Sequence, residues 1–406
     1  MKNIFRSQKW VSLFVLWTMM ISQLVFAQPA ASLATLNVWF ASGQLDGPLK
    51  HLANVFNSQH SGMSINVVSI PNEDLKTSIV KTVINSNSPD IAILSSDNTV
   101  YVQQMALSEI PLSYLSINLP ESIKQSLLVD GKLYSVPVQL ANQLVLFYNK
   151  SLILEPATSW EQILGQASIL QSKDILPVGV SFAEGYWVAH FLTLFENQFV
   201  VDNKPNLNTP EVASGLAFYR YLSELGVTNA HCGYDCVSID FYAGKVAYAI
   251  NGTWALADAH HALGDNLGVL PLPSYRQQPM RGLASSIVLT FPGNSWTGAK
   301  AKAVKAFTDF MLSHYAQSYL IETTLMVPAN PANINQLTDN PIVRQLWQMH
   351  SDAYQMPASS AFVSIWNSLR KGLALYLNNT LDVDETRAYM QTVALKGQLQ
   401  LESTDD

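Results

Sequence analysis

From Leu36 to Leu94 the chain alternates between two hydrophobic periods. Leu36 to Phe40 (LNVWF) predicts a strand. Leu49, Leu52, Val55 and Phe56 recur at helical spacing, and that pattern stops at Ser61-Gly62. Ile65 to Ile70 predicts a second strand, and Pro71-Asn72 opens a helix with Leu75, Ile79, Val83 and Ile84 on one face. Asn85 to Ser88 ends it, and Pro89 to Leu94 predicts a third strand. Strands alternating with helices form βαβ units and a mainly parallel sheet. Ligands of such sheets bind beyond the carboxyl ends of the strands, so the loops after Phe40 and Leu94 are the first places to search.

A second region begins at the Gly131-Lys132 turn. Leu133 to Tyr148 is nearly continuous strand-like sequence, interrupted by Pro137 and by Asn142-Gln143. Such a segment passes from one lobe to another. Val246 to Ile250 predicts a strand, Asn251-Gly252 a turn, and Thr253 an N-cap for a helix from Trp254. Leu267 to Leu272 and Ser286 to Thr290 predict two more strands. Beyond Gly298 the pattern is helical, with breaks at Pro328 to Pro331, Pro341 and Pro357. No internal repeat or low-complexity tract is present.

The 406 residues suffice for two or three domains, or two intertwined lobes, around a large core. A hydrophobic share of 48% with 13% charged excludes a disordered chain, and a formal charge of -7 excludes a generally basic nucleic-acid binder. The amino terminus is a targeting segment. Lys2, Arg6 and Lys9 precede the apolar run Val11 to Leu24, and Val25-Phe26-Ala27 offers a cleavage site after Ala27. The run is short against the roughly 20 residues of a membrane span, so the expectation is an exported, soluble chain. Both cysteines lie in Cys232-Gly-Tyr-Asp-Cys236. A local disulfide is the preferred reading in an oxidising compartment, against free thiols or a metal site with His231. A loop so small ties down a surface turn.

Catalytic signatures are missing: there is no GxSxG, HExxH, CxxC, Walker A or GxGxxG. His260 and His261 are adjacent, and neighbours on a helix point about 100° apart, so they read as a solvated face and not as metal ligands. Asp and Glu are plentiful enough for a glycosidase pair, but nothing singles out two that converge. Aromatic residues, 10% of the chain, are more telling. Tyr186 and Trp187 follow Glu184-Gly185, Trp254 follows an Asn-Gly pair, and Trp366 and Arg370 share a helix face. Aromatic rings cover the C–H faces of sugars, while carboxylates, amides and guanidinium groups satisfy the hydroxyls. Ordinary core packing is the competing reading for each tryptophan.

The order of segments resembles the periplasmic solute-binding proteins of ABC sugar importers, closest to the maltose-binding branch. The matching pieces are Val38-Trp39-Phe40, Pro89-Asp90-Ile91 leading to Asp97, Gly131-Lys132-Leu133 with Pro137, Phe147-Tyr148-Asn149-Lys150 and Ser159-Trp160-Glu161. Then come Glu184-Gly185-Tyr186, Gly244-Lys245, Ile250 to Trp254, Leu270 to Pro273, and Met356-Pro357 with Ile365-Trp366 and Arg370. The resemblance implies an α/β fold of the two-lobe periplasmic-binding-protein (Venus flytrap) type, with mixed, mainly parallel sheets flanked by helices and a hinge of several crossings. It implies a signal peptide at 1–27, an N-terminal lobe of 28–141 plus 285–334, and a C-terminal lobe of 142–284 plus 335–406. Glu184, Tyr186, Trp254, Trp366 and Arg370 become ligand contacts, with Asp97 from the first lobe. Gly43-Gln44 stands where maltose binders carry an Asp-Lys pair, Leu94 replaces a Trp, Asn98 an Arg, Asn142 (or Gln143) a Glu, and Asn367 a Tyr. Those departures imply a di- or oligosaccharide other than maltodextrin. The implied protein is a periplasmic, monomeric, non-enzymatic carrier without cofactor, metal or nucleic acid, delivering a small carbohydrate to inner-membrane permease subunits of an ABC transporter. The alternatives are the same fold with a solute such as a glycerophosphodiester, a sensory role, or a secreted glycoside hydrolase.

Overall fold

The computed structural model describes residues 34–403 apart from 117, 196–197, 331–333 and 335–337. The expected signal segment at 1–27 lies outside the described residues.

Strand β1 (Ala34–Ala41) alternates, burying Leu36, Val38 and Phe40. It pairs in parallel with β2 (Met63–Ile70) on one side and β3 (Ile91–Ser95) on the other. Helix α1 (Asp46–Gln59) joins β1 to β2 and buries Leu49, Leu52, Ala53 and Phe56, a stripe at three- and four-residue spacing. Helix α2 (Asn72–Ile84) joins β2 to β3 through Leu75 and Ile79. Its apolar face is narrower than the spacing predicts: Ile84, at the last turn, is 76% exposed.

The helix α3 (Glu121–Ser126) precedes β4 (Ser135–Ala141). Beyond Asn142-Gln143 the chain enters β5 (Leu144–Asn149), α4 (Trp160–Gln171), β6 (Leu176–Gly179), α5 (Gly185–Thr193) and α6 (Pro210–Glu224). Strand β7 (Val246–Gly252), α7 (Leu256–Leu263) and β8 (Leu267–Leu270) follow. Strand β9 (Leu283–Thr290), helices α8 (Ala301–Met311) and α9 (His314–Thr324) and the short β10 (Val327–Pro328) come next. Last are α10 (Pro341–Asp352), β11 (Tyr354–Gln355), α11 (Ser360–Leu377) and α12 (Val383–Glu402).

Two main sheets result. The larger runs β10-β4-β9-β3-β1-β2, with β11 beside β9, and the smaller runs β8-β5-β7-β6. Both are mixed. Parallel pairing holds for β1 with β2 and β3, β9 with β11, and β7 with β6. Antiparallel pairing takes a larger share than the βαβ pattern suggests, because β9 and β4 belong to the segments that cross between the sheets. Strand β9 runs against both β3 and β4. Every residue of β4, β7 and β9 is buried, as expected of strands covered on both faces.

Local signals place the helices. Ser159, Thr209, Ser313 and Ser359 each accept a backbone N–H three residues on, and each such cap is worth about 1 kcal/mol. Asp382 and Glu385 complete a capping box for α12. One expectation fails. Asn251-Gly252 is not a turn but the end of β7, and Thr253 does not cap a helix. Thr253 opens a single 3-10 turn, its hydroxyl is buried without a partner, and α7 starts only at Leu256. Cross-strand pairing of Asn251 with Val145 and Gly252 with Leu144 outcompetes the turn propensity of Asn-Gly.

The chain passes between the sheets at Asn142-Gln143, again between β8 and β9, and leaves the first sheet once more after Pro328. Helices α11 and α12 return to the second half, where α11 packs on α5 and α12 on α6.

Candidate ligand-binding site

The turn after β3 (Ser96–Val100) faces α11, bringing the first half of the molecule against the second. Asp97 lies on that turn, 8% exposed. Burial pushes its carboxyl above the usual carboxylate range, against the lowering effects of hydrogen bonds from Ser95 and the Trp366 side chain and of the Lys76 charge. The Lys76 ammonium donates to the Tyr101 hydroxyl at 3.0 Å and lies over that ring.

Opposite Asp97 stands a cluster of aromatic rings. Tyr186, on the first turn of α5, has its ring centroid 5.4 Å from Trp366 and 6.1 Å from Trp254. Trp254 and Trp366 are half-buried and reach the surface, unlike the fully covered Trp160. Trp187 backs the cluster with 6% exposure, 6.1 Å from Trp254, its indole N–H donating to the Ile250 carbonyl at 2.7 Å. Two glycines permit this packing. A Cβ at Gly185 would lie 3.0 Å from the Arg370 backbone nitrogen, so only a glycine lets α5 approach α11 so closely. A Cβ at Gly252 would sit 2.2 Å from the Trp254 ring.

A polar network runs through the crossings beneath the rings. Asn142 adopts φ +54°, a left-handed conformation that asparagine tolerates. Its amide donates to the Ser95 hydroxyl at 3.0 Å and the Ser285 hydroxyl at 2.8 Å. Ser95 in turn donates to Asp97. The Tyr186 hydroxyl donates to the Asn142 carbonyl and to the Leu283 carbonyl, the latter at 3.1 Å. One network thus joins β3, two crossings and α5.

Asp97, Asn142, Tyr186, Trp254 and Trp366 therefore converge, with Arg370 one helical turn from Trp366. Asn142 does so as a brace, since both amide N–H groups are engaged by serines. Arg370 and Asn367 are exposed on α11, and the guanidinium donates to the Asn367 side-chain oxygen at 3.3 Å. Glu184 is exposed at the N-cap of α5, and its side chain does not cap the helix. Gly43 is exposed with φ +133°, and Gln44 donates to the Met326 sulfur at 3.2 Å. His260 and His261 are exposed on α7.

Cys232 and Cys236 are disulfide-bonded, and the loop between them carries Tyr234, a ring the sequence reading passed over. Its hydroxyl accepts the Trp254 indole N–H at 3.1 Å. Ser95 and Ser285 were also passed over, because single serines in strands carry no spacing signal. Lys76 adds a cation near Asp97 where Arg370 was the sole basic candidate. An open groove of about 860 Å³ is walled in part by the disulfide loop itself, with Asp174, His231 and Asp240 also lining it. All its walls come from one half of the molecule, whereas Asp97 and the aromatic rings come from both.

The match to known proteins follows this geometry. A profile described as bacterial extracellular solute-binding protein matches residues 51–345. The maltose/maltodextrin-binding domain MalE of Bdellovibrio bacteriovorus, solved with maltotriose, superposes with TM-score 0.79 at 20% identity, covering 90% of this chain and all of that one. The GacH receptor of Streptomyces glaucescens, solved unliganded and with acarbose, superposes with TM-score 0.81 at 20% identity, covering 89% of this chain and 98% of that one. The two-lobe binding-protein fold is thus shared nearly end to end, and with the profile spanning most of the described residues, the chain belongs to the bacterial extracellular solute-binding protein family.

Proposed function

We propose that this protein captures a di- or oligosaccharide between its lobes and delivers it to the permease of an ABC importer, as a monomer exported to the periplasm and without catalysing a reaction. The lobes in this reading are 28–141 plus 285–334 and 142–284 plus 335–406. The observation that carries it is the set of Tyr186, Trp254 and Trp366 grouped on one half, with the Asp97 carboxylate reaching them from the other. Rings of this kind cover the apolar faces of a pyranose, and Asp97 accepts from a hydroxyl. A ligand touching both halves binds the closed arrangement better than any open one and so shifts the population toward it. The solved relatives hold maltotriose and acarbose, which supports a carbohydrate. The Gly43-Gln44 segment lacks the charged pair of maltose binders and Gln44 lies against Met326, which favours a sugar other than maltodextrin.

A thermal-shift screen against a carbohydrate library tests this, because a ligand specific for the folded state raises the melting temperature. We expect a carbohydrate hit, with Trp366→Ala weakening it by on the order of 2 kcal/mol, as hot-spot truncations do. Tight maltose binding by calorimetry would contradict the specificity. Stabilisation by a glycerophosphodiester alone would overturn the carbohydrate, and glycan cleavage by the purified protein would overturn the carrier.

A further inference from the structure

We infer that the Cys232–Cys236 disulfide is part of the binding apparatus: it holds Tyr234 where its hydroxyl fixes the pose of Trp254. This rests on the carbohydrate reading of the aromatic site for its effect on affinity, though not for its geometry.

Trp254 has few restraints of its own. It sits on a one-turn 3-10 segment, half-buried, two residues past the end of β7. Its indole N–H has one hydrogen-bond acceptor, the Tyr234 hydroxyl. Without that bond the ring keeps its packing on Gly252 and its contacts with Tyr186 and Trp187, whose centroids lie 6.1 Å away. Such contacts favour an orientation weakly and do not select one edge of the indole.

Tyr234 is itself poorly buried for a ring with this task. It is 44% exposed, with Trp187 at 6.3 Å as its other aromatic neighbour. What fixes it is the loop, together with a side-chain hydrogen bond to Asn251. Cys232 and Cys236 flank it at a Cα separation of 5.4 Å, and both are buried. The Cys232 carbonyl accepts from the Phe182 N–H at 2.8 Å, just ahead of α5, and the Tyr234 carbonyl accepts from the Ser238 hydroxyl at 2.7 Å. Asn251, at the end of β7, donates its side-chain N–H to the Val237 carbonyl at 2.9 Å. The bridge closes the loop, and these hydrogen bonds tie it to the segment ahead of α5 and to the end of β7, beside Tyr186 and Trp254. A global stabilising role is small for a loop this short, since the constraint a crosslink places on the unfolded chain grows with loop length. Local positioning is the role left for it.

The test uses the full purified chain, with two readouts. Tyr234→Phe keeps the ring and removes the acceptor. The nitrogen-15 indole resonance of Trp254, identified by its disappearance in Trp254→Phe, should shift in Tyr234→Phe and shift or broaden in Cys232→Ser/Cys236→Ser. An unchanged signal in the serine variant overturns the inference whether or not any sugar binds. With a carbohydrate found for the wild type, Tyr234→Phe should weaken binding about fivefold, the loss of one neutral hydrogen bond. The serine variant should weaken it by about that much or more. In a Tyr234→Ala background, removing the disulfide should cost no further affinity. Additive losses there, or full affinity in the serine variant, would show the bridge to be structural only. Absence of any wild-type carbohydrate binding refutes the proposed function instead, and leaves the resonance test to decide the clamp.

Discussion

Gly252→Ala is the sharpest probe of the aromatic site, because it adds one methyl group and removes nothing. Gly252 lies at an ordinary extended conformation (φ -82°, ψ 156°), so the backbone itself accepts alanine. The obstacle is the Trp254 ring, with Cε3 and Cζ3 at 2.2 Å and Cδ2 at 2.3 Å from the added carbon. Carbon atoms pack at about 3.5–4.0 Å, so the ring must retreat by roughly 1 Å or more. It cannot do so and keep the bond to Tyr234 at 3.1 Å and both ring contacts. Overpacking of this kind costs about 1–3 kcal/mol. Displacement of a stacking ring costs a comparable amount of binding energy, about 10- to 100-fold in affinity. The assay is calorimetric titration with the ligand from the screen, alongside thermal unfolding. Gly165→Ala is the control: it lies on the exposed side of α4, its added carbon meets nothing within 4 Å, and it should gain up to about 1 kcal/mol of stability with unchanged affinity. Wild-type affinity in Gly252→Ala would falsify the claim that the pose of Trp254 matters.

Three further outcomes are expected. Burial raises the Asp97 carboxyl in the folded state, so its charge opposes folding at pH values above the carboxyl's unfolded value, and that penalty fades as pH falls through the raised one. Asp97→Asn should therefore raise the melting temperature at pH 7 while weakening ligand binding, and a loss of stability at pH 7 would contradict the sign. His190 and His350 are buried and held down to about 3, against about 6.5 when unfolded. Their neutral burial is harmless above pH 6.5 and costs stability progressively as pH falls from 6.5 toward 3, by up to about 1.4 kcal/mol per unit for each. A urea midpoint that stays level from pH 6.5 to 4.5 would exclude this. Gly185→Ala should push α5 off the Arg370 backbone and separate Tyr186 from Trp366, lowering affinity several-fold with α5 still formed by circular dichroism.

Elements whose burial is set by their own period were legible in the sequence. Helix α1 and strand β1 each show one buried face, and their periodicity marks it. The crossing was legible too, since Asn142-Gln143 interrupts an otherwise apolar run and the chain changes sheets there. What escaped was decided by partners far along the chain. Gly252 and Asn251 look like a turn until β5 arrives to pair with them. The antiparallel share of both sheets depends on which segments return through the hinge, and no local pattern encodes that direction.

The site divides along the same line. Tyr186 and Trp254 announce themselves as large rings near glycines at element ends, and Trp366 by sharing a helix face with Arg370, and packing gathers the three around Tyr186. The polar half does not announce itself. Ser95 and Ser285 are small residues in buried strands, and only their register around Asn142 turns them into a relay between Asp97 and Tyr186. That relay has a mechanical consequence. It ties the Asp97 carboxylate to the Tyr186 ring through the crossings themselves. Trp254 stands outside the relay, and its pose is set instead by the Tyr234 hydroxyl and by packing on Gly252, Tyr186 and Trp187.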